Sequence, residues 1–206
     1  MTPQETRDAL AAGAVVLDLR PPRPFAAGHL PGALTMQFNR ADLADRAELM
    51  LPQGLRYVVH AEPEPIAKVA VELLRGAGFD VLGHLEGGLN AWTGSGGGVE
   101  ELPILDVDEL RDALGDVVVV DAREPFEHRH AHVPGALLFP PGEAWKLAGE
   151  LPAGERLAVV CGDQTRSVFV ASILRRHGLD AELVMGGMVD WLERGYPTEK
   201  HAPASA

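Results

Sequence analysis

Short apolar runs alternate with amphipathic segments along the whole chain. Continuous aliphatic runs are typical of strands buried on both faces, and apolar residues at every third or fourth position are typical of helices. The runs predict strands at 14–17, 57–59, 81–85, 117–120, 157–160 and 181–184. The amphipathic segments predict helices at 2–12, 39–50, 66–75, 89–92, 107–114, 142–149, 166–177 and 188–194. Alternating strands and helices form a parallel sheet with helices on both faces, so we expect an α/β fold.

The same order of elements and motifs occurs twice. An Asp-x-Arg motif after a strand at 18–20 recurs at 121–123, and a Pro-Gly-Ala turn at 31–33 recurs at 134–136, both at an offset of 103. An internal repeat of this length has the size of a domain and exceeds a solenoid unit. Further matches are Phe25 with Phe126, Gly87-Gly88 with Gly186-Gly187, and Trp92 with Trp191.

The repeat predicts two domains, each with a central, mostly parallel sheet flanked by helices. We place them at 1–93 and 102–200, joined by a flexible glycine-rich linker at 94–101 and followed by a small polar tail at 201–206. The segment 102–105 is an extra extended piece before the first helix of the second domain. The first domain has no counterpart to it.

Charge and cysteine content narrow the possible functions. The net charge of −12 argues against nucleic acid or an anionic membrane as the main partner. No apolar run approaches the length of a membrane span. A single cysteine excludes an intrachain disulfide framework and fits a reducing compartment. Because the N-terminus also lacks the basic and apolar pattern of a signal peptide, we expect a cytoplasmic protein. We also expect that it needs no cofactor.

The single cysteine lies where a predicted strand ends and a predicted helix is about to begin. Backbone N–H groups at a helix start have no intrahelical partner, and the helix dipole favours an anion there. The thiol of Cys161 should therefore ionise more easily than a free thiol, and Arg166 adds a positive charge within reach. A buried structural cysteine is the alternative interpretation, since free cysteine is among the most buried residue types.

The combined marks resemble the rhodanese family. They are Asp-x-Arg, an aromatic residue, a Pro-Gly-Ala turn, a strand ending in cysteine, and then Gly-Gly and Trp. The resemblance covers both halves, apart from the linker and the tail. It implies sulfurtransferase chemistry, in which the cysteine accepts a sulfane sulfur as a persulfide and passes it to a nucleophile. The family also includes tandem proteins in which only the C-terminal copy is active.

The resemblance assigns the catalytic role to Cys161 and the sulfur-binding role to the loop after it. Family loops run from cysteine through four residues to arginine, often followed by serine, whereas a related phosphatase branch has a loop one residue longer. The predicted binding residues are Gly162, Asp163, Gln164, Thr165, Arg166 and Ser167. We expect no metal.

Two residues of this loop depart from the family pattern. Gln164 stands where many members have glycine, and it tolerates the backbone angles of an amide nest less well. A carboxylate at Asp163 should raise the pKa of the thiol and disfavour an anionic donor such as thiosulfate. In the alternative orientation Asp163 points outward and its charge matters little.

The first half lacks the reactive residue. His60 is the equivalent of Cys161, and its loop contains no arginine, while Pro63 and Pro65 remove N–H donors. A histidine nucleophile is conceivable, but a lost site is the simpler interpretation. The second copy is therefore the predicted catalytic domain.

Several other residues admit a functional and a structural interpretation. The residues of the Asp-x-Arg motifs are most simply structural, either as ion pairs or as turn residues. A row formed by His128, His130 and His132 would share one face of a strand and resembles a metal site, although we disfavour a metal there. The repeated tryptophans are expected in the core. Trp145 either lines the mouth of the site or belongs to the core.

The predicted function is a sulfurtransferase that works through a Cys161 persulfide. The donor would be thiosulfate or a persulfide, including one carried on a protein, and the acceptor a thiol or cyanide. The alternative from another class is a non-catalytic rhodanese-like module that binds a partner or senses sulfur. A phosphatase is a more distant alternative.

Overall fold

The computed structural model describes residues 1–151 and 153–200. The chain forms two compact units, which divide between Glu101 and Leu102. The predicted tail at 201–206 lies outside the described residues. Among the described residues, no helix is long and apolar enough to cross a membrane.

The first unit contains a four-stranded sheet in which every neighbouring pair of strands is parallel. The order of the strands is β2-β1-β3-β4. The helices are α1 (Pro3–Ala11), α2 (Pro22–Ala27), α3 (Leu43–Met50), α4 (Glu64–Gly76) and α5 (Gly88–Gly94), and the strands are β1 (Val15–Asp18), β2 (Leu34–Thr35), β3 (Arg56–His60) and β4 (Asp80–His84).

The second unit repeats this sheet with one additional strand, and all of its ladders are parallel. The order is β5-β9-β8-β6-β7, with β5 as the extra edge strand formed by the segment that the first half lacks. Both units confirm the predicted α/β fold. The helices are α6 (Val107–Asp112), α7 (Pro125–His130), α8 (Ala144–Leu147), α9 (Thr165–Arg176) and α10 (Gly187–Glu193), and the strands are β5 (Ile104–Leu105), β6 (Val118–Asp121), β7 (Leu137–Leu138), β8 (Arg156–Val160) and β9 (Asp180–Val184).

Strand β8 lies in the middle of the second sheet, between β6 and β9. Its residues from Leu157 to Val160 are completely buried, which explains their unbroken aliphatic sequence. The chain turns from the carboxyl end of this strand into α9. In open parallel sheets, ligands bind beyond the carboxyl ends of the central strands. The fold therefore places Cys161 at the position where such a site forms.

Some short elements differ from the prediction. The predicted helix at 142–149 is a single α-helical turn, α8, between 3₁₀ turns at Pro141–Glu143 and Ala148–Glu150. Glycines at both ends of this segment disfavour a longer helix. The helices α2 and α7 and the strands β2 and β7 were absent from the prediction, because each is too short to show a periodic pattern.

Part of the predicted flexible linker packs against the first unit. Gly94 ends α5, and a Cβ atom on Gly97 would lie 2.3 Å from the ring of Trp92. The indole Nε1 of Trp92 donates a hydrogen bond of 2.7 Å to the carbonyl of Gly98. Farther along, Glu100 forms a backbone bridge with His29. Close approach to the indole, and not flexibility, explains the glycine at position 97.

The match of Phe25 with Phe126 is wrong, because His128 is the equivalent of Phe25. Phe25 is buried and stacks on His29, four residues later, with ring centroids 3.9 Å apart. His128 is also buried and stacks on His132, four residues later, with ring centroids 3.8 Å apart. Phe126, by contrast, is 67% exposed. The stack across one helical turn is thus preserved, with an imidazole in place of the phenyl ring.

Both Asp-x-Arg motifs form buried ion pairs, as expected. Arg20 Nη2 lies 2.6 Å from Asp18 Oδ2 and also donates 2.7 Å to the carbonyl of Gly28. In the second unit, Arg123 pairs with Asp121 at the same distance. These side chains are at most 7% exposed. Each pair fixes the chain where it leaves the first long strand of the sheet.

The substitution Arg20→Met should lower the free energy of unfolding by about 3–5 kcal/mol, because it leaves the buried Asp18 carboxylate without its cation. Lys68→Met is the matched control, since Lys68 is 61% exposed and pairs with Glu64 at the surface. Its loss should lower the free energy of unfolding far less, because solvent screens a surface pair. Urea denaturation measures both values. Equal losses for the two variants would contradict the structural importance of the buried pair.

Candidate active site

Cys161 follows β8 directly and is completely buried. Only 162–164 separate it from the first residue of α9. The strand fixes the position of the cysteine in the middle of the sheet, and the helix directs its first N–H groups towards the same place. The geometry brings together the sequence-predicted thiol and the predicted loop.

The start of α10 holds the backbone of this loop. The N–H of Met188 donates to the carbonyl of Cys161 at 2.7 Å, and the N–H of Val189 donates to the carbonyl of Gly162 at 3.0 Å. Gly187 has a φ of +57°, and a Cβ atom on it would lie 2.5 Å from the carbonyl oxygen of Cys161. The close approach therefore requires glycine. The sequence showed the Gly-Gly pair only as a mark of the repeat.

The thiol does not ionise easily, contrary to the expectation from the helix start. Burial raises the pKa of the Cys161 thiol, because the thiolate loses its hydration. The hydroxyl and the N–H of Ser167 and the N–H of Arg166 lower this pKa, but they offset only part of the rise. The nearby carboxylate of Asp163 raises it further. The cysteine thus rests as a thiol, with donors in place for a negative charge.

Ser167 supplies the donor that has no other use. Its side chain is completely buried. Among the described residues its hydroxyl meets no partner at full hydrogen-bond geometry, although it lies near enough to the thiol to lower the pKa of Cys161. A buried hydroxyl without a partner costs about 1–3 kcal/mol. An anionic sulfur atom attached to Cys161 would accept hydrogen bonds from this hydroxyl and from the adjacent N–H groups.

Asp163 points into the loop, which decides between its two predicted orientations. Its Oδ1 accepts hydrogen bonds from the N–H of Gln164 at 2.6 Å and from the N–H and Oγ1 of Thr165, both at 2.9 Å. The Cys161 thiol donates to the same oxygen at 3.7 Å. Burial acts to raise the pKa of Asp163, but the hydrogen bonds from Thr165 and Gln164 outweigh it and lower that pKa. The carboxyl group is therefore ionised at neutral pH.

The guanidinium of Arg166 forms an ion pair with Glu127 of α7. Its Nη1 and Nη2 lie 2.5 and 2.8 Å from the two carboxylate oxygens. This bidentate contact raises the pKa of Arg166 and lowers that of Glu127. A Cβ atom on Gly162 would lie 3.3 Å from Nη2, so the guanidinium rests against the loop. Sequence reasoning missed Glu127, whose only signal was its place four residues after Arg123.

A recess of about 310 Å³ lies next to this ion pair. It combines apolar surface with one exposed imidazole. Phe126 and Leu192 are 67% and 51% exposed there. The recess is lined by Arg123, Phe126, Glu127, His130, Ala131 and Leu192.

The predicted equivalence of His60 with Cys161 is wrong. Asp18 pairs with His60 as Asp121 pairs with Val160, the residue before Cys161, so the buried Ala61 is the equivalent of Cys161.

His60 is the last residue of β3. It is completely buried, and neither ring nitrogen makes a hydrogen bond in this unit, all of whose residues the structure describes. Burial lowers the pKa of His60, so the ring is neutral at neutral pH. Glu62 lies 3.6 Å from Nε2, and Pro63 and Pro65 supply no N–H groups. The first unit therefore lacks both the thiol and the donors of the second.

The histidine row does not form one face of a strand. His128 and His130 belong to α7, and only His128 and His132 stack on each other. The Nδ1 of His128 lies 2.9 Å from the carboxylate of Asp121. Among the described residues, no group of three or more histidine, cysteine, aspartate or glutamate side chains is arranged to hold a metal ion.

Two of the three tryptophans are core residues, and the third packs at the far end of α9. Trp92 and Trp191 are 4% and 0% exposed, as expected for core residues. Trp145 is half-buried and makes an edge contact with His177, with ring centroids 5.0 Å apart. His177 caps the carboxyl end of α9, whereas Cys161 lies at the opposite end of that helix. Trp145 therefore does not line the mouth of the site.

The family model for the rhodanese-like domain matches residues 2–95 and 106–194. The chain belongs to the rhodanese family and contains two copies of its domain.

Individual relatives are distant. The protein named "Putative thiosulfate sulfurtransferase SseB" of Mycobacterium tuberculosis is 25% identical over 230 residues, which cover 81% of each chain. "Putative sulfur carrier protein YrkF" of Bacillus subtilis is 29% identical over 94 residues, or 45% of this chain and 51% of that protein. This chain thus spans about half the length of YrkF. A rhodanese-related protein from Thermoplasma volcanium is 27% identical, with a TM-score of 0.47, over 48% of this chain and 99% of that one.

The substitution Gly187→Ala should displace the loop and change the alkylation rate of Cys161, because the new methyl group collides with the loop carbonyls. Gly178→Ala is the matched control: Gly178 also has a positive φ, of +79°, but a Cβ atom there would meet nothing within 4 Å. Both variants should lose about 1–2 kcal/mol to backbone strain. Only Gly187→Ala should lose about 1–3 kcal/mol more to overpacking.

Thermal denaturation and the rate of reaction with iodoacetamide measure the two effects. Equal stability and equal alkylation rates in both alanine variants would show that the contact between α10 and the loop is unimportant.

Proposed function

We propose that the second unit is a sulfurtransferase that carries sulfur as a persulfide on Cys161. Two rhodanese-like domains support sulfurtransferase activity in general. One observation carries the finer proposal. The single thiol lies beneath two helix N–H groups and the unpartnered hydroxyl of Ser167, a set of donors that one additional sulfur atom would satisfy.

In the first step, the sulfur of Cys161 attacks the outer sulfur of the donor. A new S–S bond forms, the donor's own S–S bond breaks, and the bonding electrons leave with the donor fragment. That fragment is sulfite from thiosulfate or a thiol from a persulfide. The proton of Cys161 leaves with the thiol or passes to solvent. The anionic outer sulfur then accepts hydrogen bonds from Ser167 and Arg166.

In the second step, a thiol or cyanide attacks the outer sulfur of the Cys161 persulfide. The S–S bond to the cysteine breaks, and the cysteine leaves as a thiolate. The N–H groups that lower the pKa of Cys161 stabilise this leaving group. No second cysteine exists in the chain, so the acceptor must come from outside.

Glu127 contributes by positioning Arg166. The bidentate ion pair holds the guanidinium against Gly162, at the edge of the loop. Arg166 adds positive potential near the persulfide, but the carboxylate compensates a large part of it. A donor or acceptor with an apolar carrier would contact the adjacent recess. We place this exchange in a reducing compartment such as the cytoplasm, because a lone nucleophilic cysteine must stay reduced.

One observation favours a non-catalytic module that binds a partner or senses sulfur. Cys161 is completely buried and its pKa is raised, both of which slow a thiol that must turn over. Such a module would keep the cysteine for packing or for slow, stable modification. The two functions differ in whether the sulfur on Cys161 can be transferred to an acceptor.

Mass spectrometry of the intact protein tests the persulfide directly. After incubation with an alkyl hydropersulfide, the protein should gain the mass of one sulfur atom and lose it again when a thiol or cyanide is added. Cys161→Ser, which keeps the shape of the side chain, should gain nothing. The absence of any gain in the native protein would contradict the proposed function. A gain that the acceptors cannot reverse would favour the sensing module.

A thiol placed in the first unit should not create a second site. The double variant Ala61→Cys with Cys161→Ser should take up no sulfur, because the loop after position 61 contains two prolines and the acidic Glu62. The same mass measurement, with Ala61→Cys alone as the control that retains Cys161, gives the answer. Reversible sulfur uptake by the double variant would show that the first unit retains a working loop.

A further inference from the structure

Asp163 occupies part of the anion-binding loop with its own negative charge. One carboxylate oxygen accepts the N–H groups of Gln164 and Thr165, which would otherwise be available to a bound anion. The same oxygen lies 3.7 Å from the thiol sulfur of Cys161. The loop thus already contains a negative charge beside the sulfur of Cys161, on the side where the N–H groups of the loop lie.

The remaining donors suit one sulfur atom and not an oxyanion group. They are the N–H groups of Arg166 and Ser167 and the buried Ser167 hydroxyl. The nearest cationic side chain, that of Arg166, is already bound by Glu127 at two positions. A sulfonate group such as that of thiosulfate brings three oxygens and two negative charges. It would find neither free amides nor an uncompensated cation next to Asp163.

We propose that Asp163 determines the donor class of this site: hydropersulfides in their protonated form, R–S–SH, in preference to the thiosulfate dianion. The inference rests on the proposed sulfur transfer at Cys161. A carboxylate at this position repels an anionic donor and can accept a hydrogen bond from a protonated sulfur, as it does from the thiol. The exchange is balanced. Cys161–SH and R–S–SH give Cys161–S–SH and R–SH, with one S–S bond formed, one broken, and the thiol proton transferred to the leaving sulfur.

The alkylation of Cys161 tests the charge selectivity without requiring sulfur transfer. Iodoacetate and iodoacetamide react with the same atom and differ mainly in charge, and Cys161 is the only cysteine that they can modify. The variants are Asp163→Asn, which removes the charge and keeps an oxygen acceptor, and Asp163→Ala, which also frees the two N–H groups. Asp116→Asn is the control, because it makes the same change of net charge at an exposed residue of a turn in the same unit.

The measured quantity is the ratio of the two rate constants, iodoacetate over iodoacetamide. This ratio should rise about fivefold or more in Asp163→Asn, further in Asp163→Ala, and not at all in Asp116→Asn. The rise should shrink as the ionic strength increases. In steady-state assays, kcat/KM for thiosulfate relative to that for a hydropersulfide should rise in the same order.

Two results would overturn the selectivity. One is a ratio that changes less than twofold in both Asp163 variants. The other is the special case in which both rates rise equally and the ratio stays constant. It would show that Asp163 covers or deactivates the thiol without discriminating by charge. If Asp163→Ala does not fold, Asp163→Asn decides alone, because it can keep the hydrogen bonds to the loop.

The proposed function fails in a different way. Normal alkylation with no sulfur uptake from any donor would contradict the persulfide chemistry and would leave the charge ratios as a separate, measurable property.

Discussion

The removal of one thiol from water governs the arrangement of the second unit. Cys161 lies at the end of the central strand of a parallel sheet, where no solvent reaches it, and burial raises its pKa. Every nearby feature bears on the stability of a negative charge there. The start of α9 supplies N–H groups, Ser167 supplies a hydroxyl, and α10 holds the loop carbonyls so that the loop keeps its form. The donors would stabilise a negative charge on the buried sulfur, whereas burial itself favours the uncharged thiol.

The two units share the contacts that hold the sheet, whereas only the second unit has the thiol. Both units keep the buried Asp-x-Arg pair and a ring stacked on a histidine one helical turn later. These contacts fix the same strand end in both copies and do not depend on the residue at the active position. The first unit has Ala61 at the position of Cys161 and two prolines in the loop that follows. A domain can thus lose its donors while every contact that maintains the sheet persists.

The charged groups around the loop are paired with other groups of the protein. Arg166 is held by Glu127, and the loop amides nearest the helix start are divided between Asp163 and the sulfur of Cys161. Positive potential that a dianionic ligand would need is therefore used within the protein. A site of this kind depends on a few directed hydrogen bonds to a single atom, whereas a phosphate site depends on a full nest of free amides. This difference separates sulfur chemistry from phosphate chemistry on a loop of similar position.

The sequence by itself determined the α/β class, the duplication, and the position of Cys161 between a strand and a helix, because periodicity and repeated motifs are local properties of the chain. It did not determine the pKa of the thiol, since desolvation depends on how completely other segments cover Cys161. Glu127 and Gly187 were missed because they reach the loop from α7 and α10, which are distant in the sequence. The orientation of Asp163 remained open for the same kind of reason. Only the folded loop shows that the Asp163 carboxylate points inward, where it accepts hydrogen bonds from two N–H groups and from the thiol.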